Sequence, residues 1–200
     1  MENIWITSWK HFGWVGKTIL TILFMMSIYS WSIMINKFLL FKRVKKANKK
    51  FLDVFYNGKI INVPDSPWSR ILNKTLKEKT KREILEENLY NFIKRLANEE
   101  MLSLSSKLDF LLSVSAVAPF MGLLGTVWGI LMAFHNIGIT GTSSISIIAS
   151  GISEALIVTF AGLVVAIPAA LGYNYFDGEL RKIKMQGEEV LNAIYAEMNK

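Results

Sequence analysis

The sequence has no cysteine, which excludes disulfides, thiolate nucleophiles and cysteine-bound metals. Histidine is almost as scarce: His11 and His135 are the only two, and neither has an acid or thiol near it in the chain. A nucleophile with its base, or a metal set, is therefore not on offer, and the chain reads as neither an enzyme nor a metal or cofactor protein. The third scarcity is charge. Over residues 118–176 the only carboxylate is Glu154, and no lysine or arginine occurs there.

What is present is apolar. Of the 200 residues 52% are hydrophobic, gathered in blocks long enough to cross a bilayer. The expected class is all-α: a polytopic membrane protein with three transmembrane helices extended by cytoplasmic helices. The net charge of +7 would suit nucleic acid if the cations were spread along a face, but 17 of the 23 lysines and arginines fall between Lys37 and Lys107. Arg181, Lys182 and Lys184 follow the last apolar block, and 135–151 holds no basic residue. That asymmetry is the positive-inside pattern. It puts 37–108 and the C-terminus in the cytoplasm, with the N-terminus and the 135–146 loop outside, and it assigns the basic run to anionic lipid rather than nucleic acid.

In chain order, 1–13 is an outer segment whose Trp5 and Trp9 suit a membrane interface. Transmembrane helix 1 covers 14–36, with 19 uncharged residues from Thr18 to Asn36. A cleaved signal peptide is the rival, but no small-x-small cleavage site follows and a basic run closes the block. The cytoplasmic region 37–108 continues that helix through Phe41, Val44, Phe51 and Phe55 to a stop at Asn57-Gly58. A loop over IINVPDSPWS follows, with Ser69 or Asp65 as cap, then a charged helical stretch from Arg70 to Lys107 whose stripe is Leu85, Leu89, Phe92, Ile93 and Leu96. Helix 2 covers 109–134 and helix 3 covers 147–176, with Pro119 and Pro168 as kink points. Asp177-Gly178 marks an inner end, and 177–200 is a separate amphipathic helix.

A carboxylate within such a block costs about 2.5 to 3.5 kcal/mol on insertion scales, so it faces a partner or water. Glu154 is the first functional candidate. At about 100° per residue, Ser115, Pro119, Gly122, Thr126, Gly129 and Ala133 share an arc of about 80°. Ala155, Thr159, Gly162, Ala166 and Ala170 form a similar stripe on the next helix, with Glu154 roughly 80 to 140° to one side of most of it. Gly122, Gly125, Gly129, Gly162 and Ala166 are expected to bring helices into close contact. Thr126 and Thr159 either serve a polar path or bond back to the carbonyl four residues before them.

The run APFMGLLGTVWGI, followed by SGISEALIVTFAGLVVAIPAALGYN, resembles the TolQ/ExbB/MotA family of proton-channel proteins, with SIYSWSIMI and a basic helix ending in FYNG closer to its TolQ branch than to ExbB. One departure is Ser150, where the family commonly has proline. The resemblance implies a bacterial inner-membrane protein forming a pentamer around a one-span partner similar to TolR or ExbD. It implies that proton flow drives movement passed to a TolA- or TonB-like protein of the envelope. Glu154, Thr126 and Thr159 then correspond to the family's pore-facing polar residues, and the translocated proton is the only small species involved. The rival from another class is a passive scaffold that assembles other membrane helices and needs no ionisable group at 154.

Overall fold

The computed structural model describes residues 13–56, 65–81, 86–140 and 145–198. Among them there is no strand. Five helices follow in order: α1 (Trp14–Tyr56), α2 (Pro67–Lys81), α3 (Glu86–Ser105), α4 (Leu108–Thr140) and α5 (Ile145–Met198). Three of these, α1, α4 and α5, are long and apolar enough to cross a membrane, with windows of mean hydropathy 1.8, 1.9 and 2.3. At 1.5 Å per residue, the 54 residues of α5 run more than twice the roughly 30 Å of a bilayer core. Each long helix therefore has length to spare beyond its span.

The chain divides into two compact units. The first comprises Met1–Met34 and Asp109–Tyr173, and its core joins Ile19 and Leu23 of α1, Val114 and Ala118 of α4, and Val158, Val165, Ala166 and Ala169 of α5. Small and branched residues fill this core, so the helix axes can come close. Tyr29 meets Phe110 edge-on at 4.6 Å. Phe24, Phe120 and Leu171, each about two-thirds exposed, stand for a broad outward apolar surface on all three helices, which suits lipid or protein neighbours rather than water.

The second unit comprises Ile35–Leu108 and Asn174–Lys200. Here the expected α1 stripe is buried at Phe41, Val44 and Phe51, and the α3 stripe at Leu89, Ile93 and Leu96. Leu85 and the Asn57-Gly58 stop lie outside the described residues. Helix α2 starts earlier than the IINVPDSPWS loop implied, because Ser66, rather than Ser69 or Asp65, is its cap. Ser66 Oγ accepts from the Ser69 amide at 3.1 Å, while Ser69 Oγ accepts from the Ser66 amide at 2.9 Å. Pro67 fills the first helical position, where its missing N–H leaves nothing unsatisfied. Arg70 then ties α2 to α3 through a forked pair with Glu100, at 2.7 Å from Nη2, and holds Asp65 at 2.8 Å. Those two carboxylates push its guanidinium further toward the charged form.

The described residues from Arg70 to Ser105 lie in α2 and α3, and α3 is followed by a turn at Lys107 with φ of 65°, an unusual conformation for a residue with a side chain. Lys37, buried beside that turn, donates to the Leu104 carbonyl at 2.7 Å and so caps the end of α3. The tail expected as a separate helix over 177–200 is instead continuous with the helix before it: α5 runs through Asp177 and Gly178. Glu179 makes an ion pair with Lys45 and another with Lys182 at 3.1 Å, and Phe176 stacks on Phe41 at 5.7 Å. These contacts hold helical backbone that glycine alone would weaken.

Candidate functional site

Glu154 sits on α5 where that helix pairs antiparallel with α4. The pairing is unusually close because glycines alternate with small residues on both sides. A Cβ on Gly162 would stand 2.6 Å from the Ala118 carbonyl oxygen, and one on Gly122 would stand 3.0 Å from the Thr159 Cα. Gly125 receives the branched side chain of Val158, and a Cβ on Gly129 or Gly151 would stand 2.8 Å from the methyl of Ala155 or Ala133 respectively. The two small-residue stripes therefore meet each other within one chain. Ala169 rather than Ala170 continues the buried face.

The two threonines separate here. Thr159 Oγ1 donates across the helix pair to the Gly122 carbonyl at 2.9 Å, not to its own helix, and so fixes the register of the pair. Thr126 Oγ1 donates to the Leu123 carbonyl at 2.7 Å, three residues back in α4. Pro119 and Pro168 both lie inside helices that continue past them. The loop expected over 135–146 is shorter: α4 stays helical to Thr140 and α5 begins at Ile145. With no charge in this stretch and apolar isoleucines at Ile137 and Ile139, helical hydrogen bonding wins over the turn preference of Asn136 and Gly138.

Half-buried Glu154 faces an open cleft of about 460 Å³. Gly13, Trp14 and Gly16 of the α1 end form one wall, Gly125, Trp128, Gly129, Met132 and Asn136 of α4 another, and Ser150, Gly151 and Ala155 of α5 the third. The structure thus brings Glu154 together with Gly125 and Gly129, while neither threonine lines the cleft. Trp128, Met132 and Asn136 were not singled out from the sequence, and Trp14 only as an aromatic suited to the membrane interface. The heptad-like distance from Gly125 and Gly129 to Met132 and Asn136 on α4 was the available signal, since residues three, four and seven apart share a face.

The one carboxylate of 118–176 thus lines a cleft with room for several waters, on glycine-packed apolar helices, where it can exchange a proton with water. The family model that matches is the MotA/TolQ/ExbB proton channel family, over residues 64–189. The chain belongs to this family. The match takes in Thr126, Glu154 and Thr159, and the family is one of channel subunits, not of enzymes. The chain is similar to the biopolymer transport protein ExbB of Neisseria meningitidis, 32% identical over 177 residues covering 80% of each chain. It is also similar to the Tol-Pal system protein TolQ of Haemophilus influenzae, 30% identical over 181 residues, 80% of this chain and 78% of the other. The ExbB of Xanthomonas campestris pv. campestris is 48% identical over 84 residues, 42% of this chain but 33% of that protein. Membership in a proton-channel family of the TolQ/ExbB type agrees with three helices long and apolar enough to cross a membrane.

Proposed function

We propose that this chain is the proton-channel subunit of a bacterial inner-membrane motor, in which Glu154 takes up and releases the translocated proton. The observation that carries the reading is Glu154 itself, the only carboxylate in 118–176, placed at a cleft instead of being sealed in the core. A scaffold would pack helices as well with glutamine there. A proton crossing the membrane releases about 2.3 kcal/mol per 100 mV, enough to bias a two-state rearrangement and too little for large work in one step. Repeated transfers are therefore coupled to movement.

In this reading the chain assembles as a pentamer around a one-span TolR- or ExbD-like partner, and a TolA- or TonB-like protein receives the force. The apolar surface left on α1, α4 and α5 supports neighbours of that kind, and the basic residues of 37–107 support a cytoplasmic second unit with the N-terminus outside. Thr159 and Thr126 serve the path below Glu154. The TolQ-like role rests on SIYSWSIMI and the basic helix after it. A second reading, ExbB-like import, is favoured by the similarity to the Neisseria and Xanthomonas proteins. Deletion of the gene tests both: leakage of periplasmic contents and detergent sensitivity support the TolQ-like role, whereas loss of energised uptake with an intact envelope supports the ExbB-like one.

A further inference from the structure

The cleft lies at one end of the first unit, and its position along the helices orders the polar groups. Its lining runs along α5 from Ser150 past Glu154, nine residues into that helix, to Val158, and along α4 from Asn136, four residues before the end of that helix, to Gly125. Gly13 and Trp14, where α1 begins, close the third side. Thr159 is five residues further along α5, about 7.5 Å deeper at 1.5 Å per residue. Thr126 is ten residues below Asn136 on α4, about 15 Å deeper. Both threonines are thus deeper than Glu154, next to the inner end of the cleft at Gly125 and Val158 but outside its lining.

The cleft is also the right kind of space for water. At roughly 30 Å³ per molecule, 460 Å³ has room for a connected file. A water in such a place needs two to four polar partners, and the lining includes Asn136, Ser150, Trp14, Trp128 and Glu154, each with a side chain that carries a polar group. Five glycines lie in the lining, Gly13, Gly16, Gly125, Gly129 and Gly151; a Cβ at Gly13 would meet no atom within 4 Å, whereas Gly125, Gly129 and Gly151 turn that position into the α4 and α5 contact.

We propose that this cleft, inside a single subunit, is the entrance by which protons from the outer side reach Glu154, with the beginning of α1 as one of its walls. It rests on the proton-path reading of Glu154 and on the outward orientation of the α1 start. Each subunit then carries its own entrance. The axis enclosed by the assembly is needed only beyond Glu154. The proton is handed as hydronium along water to the carboxylate, which becomes the neutral acid and releases a proton inward; no other group changes its bonding.

The absence of native cysteine makes the test direct. Gly13→Cys and Met132→Cys place thiols on two different walls, and a Cβ at Gly13 meets no atom within 4 Å. Ile139→Cys, 71% exposed and outside the lining, is the control. Right-side-out vesicles holding the full chain with its co-expressed one-span partner are treated from outside with an impermeant sulfonate-bearing methanethiosulfonate, and proton flux under an imposed potential is compared with each variant's own untreated flux. Labelling of Gly13→Cys or Met132→Cys should remove most of the flux, a small methyl-bearing reagent should remove little, and labelled Ile139→Cys should conduct unchanged. Confirmed labelling at both wall positions with undiminished flux, or no labelling from outside at either, overturns the entrance. In that event, a Glu154→Gln variant that still fails to conduct keeps the proton-path reading. Conduction by Glu154→Gln would instead remove the reading on which the entrance rests.

Discussion

Glu154 and Thr159 lie five residues apart on one helix, yet their surroundings differ: Glu154 lines the cleft, while Thr159 bonds across the helix pair. Glutamine at 154 keeps nearly the same volume and hydrogen-bonding capacity but cannot ionise. Glu154→Gln should therefore leave the purified complex intact by native mass spectrometry while abolishing proton flux; a conducting glutamine variant would leave only the scaffold reading. Thr159→Val removes the hydroxyl that bonds the Gly122 carbonyl across the helix pair, which should cost about 1 kcal/mol and lower the melting temperature. Thr126→Val removes a bond made within its own helix and exposes no second helix to loss, so its melting temperature should stay closer to the parent's. Equal shifts for the two valine variants in thermal unfolding would argue against Thr159 as the register lock. At this scale the sequence was informative about Glu154, because a carboxylate in an apolar block is expensive wherever it points. It was not informative about the direction of the threonine hydroxyls, since rotation about one side-chain bond decides between a local and a cross-helix acceptor.

At the scale of the helix, the α4 and α5 pairing turns small residues into a steric requirement. Leucine at Gly129 or Gly162 would drive a side chain into Ala155 or into the Ala118 carbonyl, and overpacking of this kind costs about 1 to 3 kcal/mol. Gly162→Leu should therefore reduce the yield of folded subunit itself, measured by gel filtration and protease resistance, and not merely release intact subunits from one another. The stripes were legible as interfaces from their spacing, but periodicity cannot say which surface meets them. Here they meet each other. Helix ends were the least legible feature, and the reason differs at each. Glycine at 178 suggested an end of α5, yet the Glu179 ion pairs and the Phe176 stack on Phe41 carry the helix through. Ser66 was passed over as a cap because its reciprocal partner is Ser69 rather than the commoner Glu or Gln. Ser66→Ala should cost about 1 kcal/mol, seen as a lower midpoint of denaturation, whereas loss of Asp65 should cost less because its bond to Arg70 is exposed.

At the scale of the whole molecule, charge sets both how the chain lies and how its basic unit responds to acid. The hydrogen bond from Lys45, with Lys182 adding to it, holds the buried Glu179 carboxyl below its ordinary value of 4.5, so the ionised form is favoured by folding. Stability from this pair is fully present above the unfolded carboxylate range and is lost as pH falls through the lower folded value. The Glu179→Gln variant should therefore show a flatter loss of stability on acidification than the parent, measured by melting temperature across that window; an unchanged slope would mean that other carboxylates dominate it. Orientation follows from the same lysines. Seventeen of the 23 lysines and arginines lie at 37–107, and the proposed orientation puts a segment so charged on the cytoplasmic side, with the α4 and α5 junction outside. A cysteine at exposed Ile139 should be labelled by an impermeant maleimide applied to intact spheroplasts, and one at exposed Asn73 only after the membrane is broken. The opposite pattern would invert the chain, put the Glu154 cleft on the cytoplasmic face, and make it an exit for protons instead of an entrance.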